Sequence, residues 1–154
     1  MSKTPFVFAC ALALVTVPAP TSRANDPAGS QTTATALGDV ASTITVTRLI
    51  VATGVSDREP VGAAGEFATA ETSHLYAFVE VENPTAQATD IAVAWIDMAT
   101  GETHRSYVLE IGPHRRWRTW ARAVAPRQPG SWMVVLTDAG GLEIGRAHFT
   151  MTAQ

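Results

Sequence analysis

The sequence predicts an all-β domain of two packed antiparallel sheets, on three observations. Short runs rich in Val, Ile, Thr, Phe and Trp recur from Ser42 onward, and Gly, Pro, Asn and Asp separate them. No segment keeps apolar residues at helical spacing for more than about two turns. The chain has 154 residues, 46% of them hydrophobic and 16% charged, which fits one folded domain and excludes a disordered or collagen-like polymer.

Ahead of the domain, Lys3 precedes an apolar run from Pro5 to Val17, followed by Pro18, Pro20 and the small-residue site Ser22-Arg23-Ala24. That order predicts a secretory signal peptide over residues 1–24. The run falls short of the ~20 residues a membrane-spanning helix needs, and no later stretch is long enough, so the processed chain is expected to carry no transmembrane span. Residues 25–41 are Ala, Thr, Gly, Ser, Gln and Asp with almost nothing large and apolar, a composition that cannot offset ordering entropy. They are expected to form a disordered tether to the domain at residues 42–154. Cys10 is the only cysteine and lies in the leader, so disulfides are not expected. Cleavage after Ala24 leaves nine basic residues, all arginine, against fourteen acidic ones, a net charge of −5. The lack of a basic field argues against non-specific nucleic-acid binding, and no nucleic-acid partner is expected. Export to the periplasm or the medium is the expected localisation.

Seven strands are expected: Thr43 to Val55, His74 to Glu82, Asp90 to Met98, Thr103 to Ile111, Arg115 to Val124, Ser131 to Asp138 and Leu142 to Met151. Asn83-Pro84, Ala99-Thr100-Gly101, Gly112-Pro113, Gln128-Pro129-Gly130 and Ala139-Gly140-Gly141 supply turn chemistry between them. Ser56 to Thr72 is the longest connection, rich in Gly and Ala, with one helical turn expected near Glu66 to Glu71. In the second run Leu75, Ala77, Val79 and Val81 alternate with Tyr76, Phe78, Glu80 and Glu82, as a strand with one buried face requires. Trp95 and Trp132 are placed to fill the space between sheets. Seven antiparallel strands of this length fit a β-sandwich of immunoglobulin or fibronectin type III kind.

Two segments carry a resemblance: Asp57-Arg58-Glu59-Pro60-Val61, and Arg116-Trp117-Arg118-Thr119-Trp120 followed by Gly130-Ser131-Trp132-Met133-Val134. With Leu75-Tyr76-Ala77-Phe78 and the Gly140-Gly141-Leu142 turn into Phe149, they resemble a bacterial domain family of unknown function, DUF2914, over about Ile44 to Phe149. The resemblance implies a small cell-envelope module and no assigned activity.

The candidate site residues are Arg116, Arg118, Trp120, Arg122 and Glu59. Strand alternation puts Arg116, Arg118, Trp120 and Arg122 on one face, and Trp117, Thr119 and Ala121 on the other. Guanidinium groups beside an indole suit an anionic glycan, a lipid headgroup or an acidic protein partner. Alternatively, the arginines cover the tryptophan by cation–π contact and pair with Glu80, Glu82 or Glu110, bracing the sheet. Pro60 holds Glu59 extended, where it either pairs with Arg116 or Arg118 or lines a ligand pocket. His74, His104, His114 and His148 show no metal-ligand spacing, and neither a metal nor another cofactor is expected. No Gly-x-Ser-x-Gly elbow, thiol nucleophile or phosphate-binding glycine loop is present. Glu80 and Glu82 share a strand face at about 7 Å, a glycosidase-like arrangement that solvation or arginine pairing explains more simply. The expectation is a non-enzymatic binding or scaffold module of the cell envelope. The alternatives are an accessory domain in an envelope protein assembly and, last, an envelope-polymer hydrolase.

Overall fold

The strand alternation of Leu75, Ala77, Val79 and Val81 is realised in full, each side chain being completely buried. They belong to β4 (His74–Glu82) in a computed structural model that describes residues 42–153. The proposed leader (1–24) and tether (25–41) lie outside the described residues.

The other strands are β1 (Thr45–Ser56), β2 (Glu59–Ala63), β3 (Glu66–Ala68), β5 (Thr89–Asp97), β6 (Thr103–Ile111), β7 (Arg116–Val124), β8 (Gly130–Asp138) and β9 (Glu143–Thr152). No helix occurs among the described residues. The strands form two sheets, β2-β1-β4-β7 and β3-β9-β8-β5-β6. The chain changes sheet between β2 and β3, β3 and β4, β4 and β5, β6 and β7, and β7 and β8, and all pairings but β3–β9 are antiparallel. This is an immunoglobulin-like β-sandwich. Its nine strands exceed the expected seven because β2 and β3 arise within the long connection.

A β-bulge reconciles β1 with the core. The core-packed apolar residues are Ile44, just ahead of the strand, and Val46, then Leu49 and Val51, a change of parity that an unbroken strand would turn to opposite faces. Val46 pairs with Val81 and Leu49 with Val79, leaving Thr47 as the extra residue. Thr47 Oγ1 donates to the Glu80 carbonyl at 3.1 Å. All four apolar side chains therefore pack on the core.

Between the sheets, Trp95 meets Phe149 edge-on at 5.8 Å, and Phe149 meets Phe67 edge-on at 6.0 Å. Phe67 explains β3. A single large apolar side chain on three residues, paired in parallel with β9, is drawn inward to 5% exposure. The helical turn expected over Glu66 to Glu71 is therefore replaced by a strand and a turn, in which the Thr72 amide donates to the Ala68 carbonyl at 3.0 Å.

The β1–β2 connection is a two-residue hairpin, with Ser56 paired to Glu59 and both Asp57 (φ 51°) and Arg58 (φ 61°) left-handed. Type I′ turns demand this conformation and favour glycine at the second position, where a side chain costs about 1 kcal/mol. Arg58 is exposed and makes no ion pair among the described residues. Arg58→Gly is expected to stabilise the domain by up to about 1 kcal/mol, read as a raised urea midpoint at unchanged slope.

Candidate functional site

The outward face of the four-stranded sheet carries the sequence-predicted residues. Cross-strand register aligns Arg48 (β1), Glu80 (β4) and Arg118 (β7) in one row. The tight β1–β2 hairpin brings Glu59 over that row. Its Oε2 accepts from Arg48 Nη1 at 2.8 Å and its Oε1 from Arg118 Nη1 at 2.5 Å. Arg118 Nε reaches Glu80 Oε2 at 3.2 Å, and Arg116 Nη2 lies 3.5 Å from Glu82 Oε1. Four guanidinium groups (Arg48, Arg116, Arg118 and Arg122) thus face three carboxylates, and only Arg122 makes no ion pair among the described residues.

Glu59 therefore contacts Arg118 and not Arg116. Glu110, also considered as a partner, sits on β6 in the other sheet and takes no part. Cation–π contact falls elsewhere than expected: the Arg48 guanidinium stands 5.4 Å over the Phe78 ring, whereas Trp117 stacks on His114 at 5.5 Å and 7°. Phe78 points outward and is nonetheless fully buried, lying beneath Arg48 and beside its cross-strand neighbour Trp120. Trp120 itself is 38% exposed, so the strip's free end is Trp120 with Arg122. Arg48 was not among the candidates, although its place on β1 opposite an acidic position of β4 is the signal that could have found it.

The Arg48 hydrogen bond, foremost, holds the Glu59 carboxyl below its ordinary range; partial desolvation opposes this and the Arg118 charge reinforces it. A depressed folded-state value means that the stabilisation is complete above the unfolded value and is lost as pH falls through the folded one. The melting-temperature gap between wild type and Glu59→Gln is accordingly expected to be widest above about pH 5 and to close on acidification. A gap independent of pH would show that the carboxylate charge is not what fastens the hairpin.

At one end of the sandwich a groove of about 470 Å³ opens between the start of β6 and the loop after β7. Arg105, Arg127 and Trp132 line it, and His104 meets the Trp132 ring edge-on at 5.7 Å. The Trp132 Nε1 is buried and has no hydrogen-bond partner among the described residues. No cluster of three or more His, Asp or Glu suited to a metal ion occurs among the described residues, nor does any helix long and apolar enough to cross a membrane.

Fold and site together define an immunoglobulin-like β-sandwich module with an internally paired Arg/Glu face. Residues 88–151, from the β4–β5 connection through most of β9, match the family described as "Protein of unknown function (DUF2914)", the family that the sequence resembles. The match begins after the Asp57 to Val61 and Leu75 to Phe78 segments. None of the curated proteins matches. Among solved structures, the chain is similar to the Pseudomonas fluorescens alkylpurine DNA glycosylase AlkC bound to DNA containing an abasic site analog. The TM-score is 0.50 at 15% identity, over 73% of this chain and 31% of that one. The chain thus spans less than a third of the glycosylase's length, and the likeness is one of fold. An immunoglobulin-like protein from Pseudomonas aeruginosa is similar with a TM-score of 0.47 at 9% identity, covering 71% of this chain and 96% of that one.

Proposed function

We propose that the chain is an exported, non-enzymatic scaffold or binding module of the bacterial cell envelope, periplasmic or secreted, that works through protein contacts. The leader-like N-terminus supports export. The observation that carries the rest is the pairing of Glu59, Glu80 and Glu82 with arginines. Carboxylates already engaged by guanidinium partners are poorly placed to pass a proton to a substrate, and arginines so engaged have little charge to offer a polyanion. The strip thereby acts as a brace. Crosslinking in living cells is expected to capture one envelope protein in stoichiometric amount, with no salt-sensitive retention on anionic vesicles or glycan beads. Retention that disappears in Arg118→Ala would make the strip a docking surface, and turnover lost in Glu80→Gln would make the module an enzyme. A residual docking role is favoured only at Trp120 and Arg122, where an exposed indole stands beside an arginine that makes no ion pair among the described residues.

A further inference from the structure

The five-stranded sheet ends on β6, whose outer edge pairs with no strand among the described residues. Long free edges are usually blunted by proline, lysine or brevity. β6 runs for nine residues, Thr103–Ile111, without a proline or a lysine, and its one register shift lies at His104, leaving Arg105 to Ile111 in unbroken register. Its alternation sets Val108 on the outward face opposite Ala92, where it is 71% exposed. Arg105, of opposite parity, pairs with Trp95 and so lies on the inward side, at the groove.

The groove adds the second observation. Arg105 and Arg127 both line it, from β6 and from the loop after β7, and neither makes an ion pair among the described residues. This contrasts with the opposite sheet, where Arg48, Arg116 and Arg118 are matched. Of the two acids that share the lining, Asp97 is engaged with its own turn, its Oδ1 accepting from the Ala99 amide at 2.8 Å, and Glu102 is exposed. Trp132, 6% exposed, is too covered to serve as a stacking platform for a sugar ring. An open edge ending at two unengaged guanidinium groups fits an extended chain with carboxylates at one end.

We propose that an acidic, extended peptide segment of a partner protein adds as a further strand to β6, with its carboxylates held by Arg105 and Arg127 and an apolar side chain against Val108. Main-chain hydrogen bonds along the edge supply affinity, and the arginines fix register and direction. This rests on the protein-contact reading above and names its surface. An antiparallel strand would bring its C-terminal end to the start of β6.

The test uses a dye-labelled nonapeptide of threonine and valine ending in three glutamates, titrated onto the purified exported chain by fluorescence anisotropy. Saturable binding is expected, weakened about tenfold or more by Arg105→Ala with Arg127→Ala, and lost when alternate peptide nitrogens are methylated. Both arginines are exposed, so the double variant is expected to keep its melting temperature. Equal binding of a lysine-ended peptide, or affinity unchanged in the double variant, would overturn the proposal. So would a dimer in light scattering whose dissociation frees the edge, since a second copy would then be the occupant. If the peptide fails to bind while the cellular crosslink persists and maps elsewhere, the β6 site falls and the module reading stands.

Discussion

Trp95→Ala is expected to cost about 3–5 kcal/mol, a large share of what a domain of this size has to lose. Trp95 is 1% exposed on β5, on the inner face of the five-stranded sheet between β8 and β6, and packs edge-on against Phe149. Phe149 in turn holds Phe67, so the cavity would open beside the contact that anchors β3. Trp95→Phe should cost far less, because the indole Nε1 has no hydrogen-bond partner among the described residues, and removing it strands no acceptor. Circular dichroism during urea unfolding reads both variants. Comparable midpoints for alanine and phenylalanine would mean that volume at this position does not hold the sheets together.

The seven strands legible in the sequence, now β1 and β4 to β9, are those whose alternation or apolar density is set locally. β2 and β3 were not legible. β2 carries Pro60 and Gly62 and follows a hairpin turn without glycine, so both local signals pointed away from a strand. β3 is specified by Phe67 alone, through a parallel partner more than eighty residues later in the chain. The same division runs through the candidate site. Strand parity placed Arg116, Arg118, Trp120 and Arg122 on one face, because parity is a property of one strand. Their partners depend on cross-strand register, which no single segment encodes, and so Arg48 and the double engagement of Glu59 appear only in three dimensions. The groove beside Trp132 was invisible for the same reason, since it is built from strand ends and a loop distant in sequence.

Asn83→Ala is expected to destabilise the domain by about 2–4 kcal/mol, through hydrogen bonds and not through volume. Asn83 is the one completely buried polar side chain among the described residues, at the turn that carries the chain from β4 to β5. Its Nδ2 donates to the Gln87 carbonyl at 2.7 Å and points at the Gly112 carbonyl at 3.5 Å, while Oδ1 accepts from Thr85 Oγ1 at 2.9 Å. The Asn83 amide donates to the Arg115 carbonyl at 2.9 Å, so one residue ties the β4–β5 turn to the β6–β7 turn. Gly112 is fixed by the same junction: a Cβ there would stand 2.5 Å from the Trp117 ring. Truncation would leave the Gln87 and Gly112 carbonyls and the Thr85 hydroxyl without their Asn83 partner. Asn83→Asp provides the check, since it keeps the shape and replaces the donor by an acceptor aimed at carbonyl oxygens. Near neutral pH it should be at least as damaging as alanine, and it should recover on acidification as the carboxyl gains a proton to donate. An aspartate variant as stable as wild type at neutral pH would show that the Asn83 side-chain amide is not what holds the two turns together.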